Sequence, residues 1–195
     1  LAPVADVARP GSALAADERI FGRSPALVAG AATAFSDGLR EGGVASTAKH
    51  FPGIGAATVS TDRAPVRIRL SGAELRRIDL RPFQALIAHD VPMVMLGTAI
   101  YPALDRGVPA ALSRPIAADL LRGELGFAGV TVTDALDTPA LAPVGGTAAV
   151  AVRAAGAGSD LLIHTGYRSG TASAAAIARE IRRGTLSRPP AEAAV

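Results

Sequence analysis

Lys49-His50-Phe51-Pro52-Gly53-Ile54-Gly55 decides how the chain is read. It closes an apolar run, Val44 to His50, and then meets a proline and two glycines. That composition puts a sharp, closely approaching loop directly after a β-strand. Lys49 can donate three hydrogen bonds and His50 one or two, so side by side they suit vicinal hydroxyls. The bland alternative is a buried structural pair at a tight turn. Lysine usage favours function: of 20 basic residues only Lys49 is a lysine. With alanine abundant, this arginine bias points to a GC-rich coding sequence, in which the one surviving lysine becomes a candidate for a specific task.

Outward from this stretch, short apolar runs alternate with longer helical ones. Leu1 to Val7 reads as a strand, and Ser24-Pro25 opens a helix that runs to about Glu41 and stops at Gly42-Gly43. Val44 to His50 is a second strand, followed by an irregular loop from Phe51 to about Leu70, a length that is usually functional. Ser71 and Glu74 form a capping-box pattern, and Pro82 starts a second helical piece ending near His89. Val91 to Thr98, Gly129 to Thr133 and Asp160 to His164 read as further strands; Ser113-Pro115 to Leu121, Thr147 to Ala157 and Gly170 to Arg183 read as helices. Residues 188 to 195 read as a frayed tail. The alternation predicts an α/β fold with a parallel sheet, either open and doubly wound or part of a (β/α)8 barrel. No dinucleotide fingerprint follows the first strand, which weakens the doubly wound reading.

Composition narrows the function classes. The chain has 195 residues, 49% hydrophobic and 19% charged, which is globular. At 4% aromatic, its core must be built from Ala, Val, Leu and Ile. No run approaches the ~18 apolar residues of a membrane span. The net charge is only +3, and the arginines, as at Arg67, Arg69, Arg76, Arg77 and Arg81, are scattered with Glu74 and Asp79 among them. A solvated face, not a nucleic-acid partner, accounts for them. With no cysteine, thiolate metal sites and disulfides are excluded, and the compartment cannot be read from redox chemistry.

In parallel α/β folds, active sites sit at the C-terminal ends of the strands. That rule selects Asp6, Lys49, His50, Thr98, Tyr101, Asp134, His164 and Thr165. A lysine, histidines and carboxylates on one rim suit an oxygen-rich ligand, either a sugar or a phosphate.

The quoted stretch resembles the KHFPGxG signature of family 3 glycoside hydrolases. Glu18-Arg19-Ile20-Phe21-Gly22 is similar to that family's E-R-x-F-G segment, and Leu1 to Val7 to its mid-barrel strand. Leu125 to Asp134 resembles the segment bearing its nucleophile, and Ala155 to Leu162 the approach to its last strand. The resemblance implies a partial TIM (β/α)8 barrel, about the last five βα units, with the first three strands missing. Residues 1 to 187 would be the C-terminal part of a family 3 barrel, and a chain so placed would be a fragment, an incomplete gene product or one half of an assembly, not expected to be active alone. It implies a retaining enzyme that releases terminal β-linked N-acetylglucosamine from glycans or muropeptides, with no cofactor and no metal. Asp134 matches the nucleophile; a helix-capping role, the alternative, better suits Asp137. Arg19, Lys49 and His50 match positions that bind the terminal sugar, although Arg19 could instead pair with Asp17 or Glu18. Asp6 reads as structural, His89 as a surface residue, and His164 as a possible ligand contact.

One departure bears on mechanism. The acetylglucosaminidase branch places an Asp-x-His dyad on the loop after the signature, its histidine serving as proton donor. Here Asp62 holds the histidine's position and Ser60 its partner's. Histidine titrates near ~6.5 and a free aspartate near ~3.9. Asp62 would therefore need burial or the Asp134 charge to act as acid/base; otherwise it starts a turn and the protein is slow or inactive. The β-glucosidase branch takes its acid/base from a second domain, and a chain ending soon after the last barrel helix favours the single-domain branch. The rival readings are a non-catalytic carbohydrate-binding pseudoenzyme, a β-glucosidase-like enzyme, and an unrelated phosphate-binding α/β protein. The last would leave the long loop unexplained.

Overall fold

A computed structural model describes residues 1 to 186; the tail expected at 188 to 195 lies outside the described residues. Three strands form the centre: β1 (Thr47–Phe51), β2 (Met93–Leu96) and β3 (Val130–Thr133). They pair in parallel in chain order, Thr47 with Met93 and Met93 with Val130. Their residues are almost all buried, as strands covered on both faces require. The expected α/β class with a parallel sheet is therefore present.

The two outer strands are shorter than the sequence suggests. Leu1 to Val7 keeps one parallel bridge, Val4 to Lys49, with Lys49 N–H donating to the Pro3 carbonyl at 3.1 Å. Asp160 to His164 keeps one bridge, Val132 to Leu161. Both segments have a pairing partner on one side only, and Pro3 has no N–H for a ladder. Leu1 and Leu161 are accordingly exposed.

Helices make the crossovers. Ser12 caps the short α1 (Ala13–Ala16), and Pro25 sits at the first turn of α2 (Pro25–Glu41), which ends on Gly42 as expected. The Ser71–Glu74 capping box forms in full at α3 (Gly72–Glu74). A π-helical turn, Leu75–Asp79, carries the chain into α4 (Arg81–Ala88). The crossover from β2 to β3 is also π-helical, over Pro115–Glu124. α5 (Thr147–Ala157) matches its expected span; α6 (Tyr167–Arg183) begins one turn earlier than Gly170. The core is aliphatic, as composition requires, but the few aromatics occupy its centre. Phe51 and Phe83 meet edge to face at 5.2 Å, and both are fully buried, as is Tyr101.

The N-terminal ends of the last strands are tied by one cluster. Asp160 Oδ2 accepts from Arg122 Nη2 at 2.6 Å, from Thr131 N–H at 2.7 Å and from the Thr131 hydroxyl at 2.8 Å. Arg122 also donates to the Gly129 carbonyl at 3.0 Å. Asp160→Ala leaves the Thr131 N–H without its acceptor and removes the Arg122 ion pair, and is expected to cost about 2–4 kcal/mol. A denaturation midpoint unchanged from the parent would contradict this.

Candidate active site

The signature stretch is held from below by groups far away in sequence. Gly55 lies against strand-exit backbone: a Cβ there would stand 1.9 Å from the Val7 carbonyl oxygen. Tyr101, placed on the rim by sequence, instead points inward and donates to the Gly53 carbonyl at 2.9 Å. Burial, together with the Asp6 and Asp79 charges, pushes its phenol well above the usual value. Asp79 packs beneath Gly53 and pairs with Arg9 at 2.6 Å. Burial raises the Asp79 carboxyl's pKa, while Arg9 pulls it down. Asp6, read as structural, accepts from Ile54 N–H at 2.7 Å and lies 2.8 Å from His50 Nδ1.

Above this floor, Arg19, Lys49, His50, Asp62 and Asp134 line one cleft with about 520 Å³ of empty space, including its open mouth. They come from the turn after α1, from β1, from the long loop and from the end of β3. Ala13, Leu14 and Asp17 form one wall, and Ile54 and Met95 part of the base. Burial lowers the Lys49 ammonium's pKa, Arg19 adding to the shift; Asp134, Asp6 and Asp62 oppose it. Neither Arg19 nor Lys49 has a side-chain hydrogen bond or ion pair among the described residues, so the alternative pairing of Arg19 with Asp17 or Glu18 is not formed. Arg19 leaves α1 through Glu18, whose φ of 54° is a left-handed conformation at the helix end.

Asp134 is aimed by β3. Its N–H donates to the Leu96 carbonyl at 2.9 Å, and its Oδ1 accepts from Ala135 N–H at 2.9 Å. Oδ2 has no hydrogen-bond partner among the described residues. Asp137 caps no helix; it holds the turn that leads into α6. It accepts from Thr165 N–H at 3.0 Å, Gly166 N–H at 3.1 Å and the Ser169 hydroxyl at 2.7 Å. Burial alone would raise its carboxyl, but these bonds outweigh it and hold the pKa well below the usual range.

Asp62 is exposed rather than buried. Its N–H donates to Ser60 Oγ at 3.2 Å, and Ser60 Oγ donates to Oδ2 at 3.3 Å, which is turn geometry. The Thr98 hydroxyl anchors this loop through the Thr61 carbonyl at 3.3 Å. His164 does not line the cleft; its ring lies beside Gly170, with both nitrogens buried and unpartnered. His89 is exposed at the end of α4. Sequence did not identify Arg9 or Asp79 as neighbours of the site. Their contacts span tens of residues and leave no local pattern.

The profile of the "Glycosyl hydrolase family 3 N terminal domain" matches residues 1 to 195. The chain belongs to glycosyl hydrolase family 3. Among its relatives, an "Uncharacterized secreted glycosyl hydrolase" of Arthroderma benhamiae is 39% identical over 96% of this chain and 54% of its own length. A "Beta-hexosaminidase" of Tolumonas auensis is 37% identical over 87% of this chain and 50% of its own. The family 3 chain thus spans about half the length of these curated relatives. A solved family 3 β-N-acetylglucosaminidase from a Paenibacillus species superposes with a TM-score of 0.95 at 34% identity, covering all of this chain and 37% of that one. A β-N-acetylhexosaminidase from Beutenbergia cavernae does so with a TM-score of 0.89 at 35% identity, over 100% and 59%. No helix among the described residues is long and apolar enough to cross a membrane.

Proposed function

We propose that this chain carries the catalytic face of a retaining glycoside hydrolase that releases terminal β-linked N-acetylglucosamine from glycans or muropeptides. In this reading, the parallel strands are five units of a (β/α)8 barrel, with the first three not represented. The observation that carries it is the convergence of Arg19, Lys49, His50 and Asp134, from separate parts of the chain, on one cleft. Asp134 attacks the anomeric carbon through Oδ2, forming a glycosyl ester that water then opens. Arg19, Lys49 and His50 hold the sugar's hydroxyls. Asp62, on the long loop that lines the same cleft, gives the leaving oxygen its proton and afterwards activates the water. An activated fluorosugar should leave a covalent adduct on the peptide containing Asp134; turnover without that adduct would sink the assignment.

Asp62→Asn is expected to slow glycosides with poor leaving groups about 100-fold or more, and activated aryl glycosides far less. Equal losses on both would remove Asp62 from the proton-donor role. The exposure of Asp62, and Ser60 in place of a carboxylate, favour a second reading, a carbohydrate-binding pseudoenzyme. It predicts N-acetylglucosamine binding without turnover of the nitrophenyl glycoside.

A further inference from the structure

Asp6 is fully buried beneath the cleft and is the acceptor for three donors from the signature stretch. Oδ1 takes Ile54 N–H at 2.7 Å; Oδ2 takes His50 N–H at 3.2 Å and lies 2.8 Å from His50 Nδ1. A carboxylate can only accept, so the contact at Nδ1 requires the proton on that nitrogen. The neutral ring then has its lone pair on Nε2, which has no partner among the described residues, while His50 itself lines the cleft. We propose that Asp6 is a positioning residue that fixes His50 as the Nδ1–H tautomer and so presents Nε2 to the cleft as a hydrogen-bond acceptor beside the Lys49 donor.

The consequence is selectivity by hydrogen-bond polarity. A hydroxyl both donates and accepts, so one hydroxyl, or a vicinal pair, satisfies Nε2 and the Lys49 ammonium together. A phosphate dianion only accepts; it would satisfy Lys49 and face the Nε2 lone pair with another. This choice of ligand rests on the carbohydrate reading above. The tautomer rests on the Asp6 geometry alone. The same carboxylate also ties Ile54 N–H, so the ring and the turn that follows it are set by one group.

The chain has three histidines, His50, His89 and His164, which makes the tautomer directly measurable. Long-range proton–nitrogen correlation spectra of the 15N-histidine-labelled chain, with His89→Gln and His164→Gln for assignment, should show a protonated Nδ1 and an unprotonated Nε2 at His50. Asp6→Ala should abolish this preference. With no acceptor at Nδ1, the ring is no longer held with its proton on that nitrogen. An Nε2–H tautomer in the parent chain, or an unchanged Nδ1–H preference in folded Asp6→Ala, would overturn the proposal. If that variant does not fold, the parent spectrum decides alone. Saturation with N-acetylglucosamine should shift Nε2, with half-saturation about tenfold weaker in Asp6→Ala, as for one lost hydrogen bond. The expected tautomer with an Nε2 blind to sugar upholds Asp6 and removes the carbohydrate reading.

Discussion

Asp134→Asn is expected to reduce turnover of a nitrophenyl N-acetylglucosaminide by at least about four orders of magnitude, the scale seen when a covalent nucleophile is removed. N-acetylglucosamine affinity should change by less than about threefold. The asparagine amide is nearly isosteric and can still accept from Ala135 N–H at the Oδ1 position, so the turn after β3 keeps its shape. What is lost is the carboxylate oxygen with no partner among the described residues, the atom that would form the ester. Lys49 and Arg19 then face a neutral group, and Lys49, whose ammonium Asp134 helps to hold charged, loses one of its supports. Parallel measurement of binding by calorimetry and of turnover by nitrophenol release separates the two effects. Residual turnover above about one per cent of the parent would exclude Asp134 as nucleophile.

Gly55→Ala is expected to have the largest effect on stability. Its Cβ would lie 1.9 Å from the Val7 carbonyl oxygen and 2.6 Å from the carbonyl carbon, both backbone atoms that cannot rotate away. The same glycine's carbonyl accepts from Arg9 N–H at 3.0 Å, so separating the two segments also breaks a hydrogen bond. A loss of roughly 3 kcal/mol or more follows from such overpacking, which for a chain of this length lowers the melting midpoint by about 10 °C. Gly30→Ala is the matched control. Gly30 is exposed inside α2 with nothing within 4 Å of an added Cβ, and alanine there should stabilise by about 0.5–1 kcal/mol. Thermal melts of the two variants should move in opposite directions; equal shifts would mean that the close approach at Gly55 can relax.

Local chemistry made much of this legible. Pro25 and Gly42 bracket α2, and the Ser71–Glu74 box starts α3, because both signals act within one helical turn. β3 was legible from its β-branched run. The outer strands were overestimated because an apolar run says nothing about whether a neighbour is present on both sides. The π-helical Leu75–Asp79 and Pro115–Glu124 were read as ordinary helix, since the apolar periodicities differ by little over so few residues. Tyr101 was misplaced on the rim because a position just past a strand does not fix which way its side chain turns.

The sequence by itself determined the α/β class and which side chains stand at the strand ends, because strand termini and loop glycines are encoded within a few neighbouring residues. Only the tertiary structure decided that Arg19, Lys49, His50, Asp62 and Asp134 share one cleft, that Asp62 is exposed, and that Asp6 reaches His50 and Ile54. The Asp6 contacts join residues 44 and 48 positions apart. They exist because parallel pairing stacks the first strand's exit against β1, so the physical cause is the packing of the sheet, which no local stretch contains.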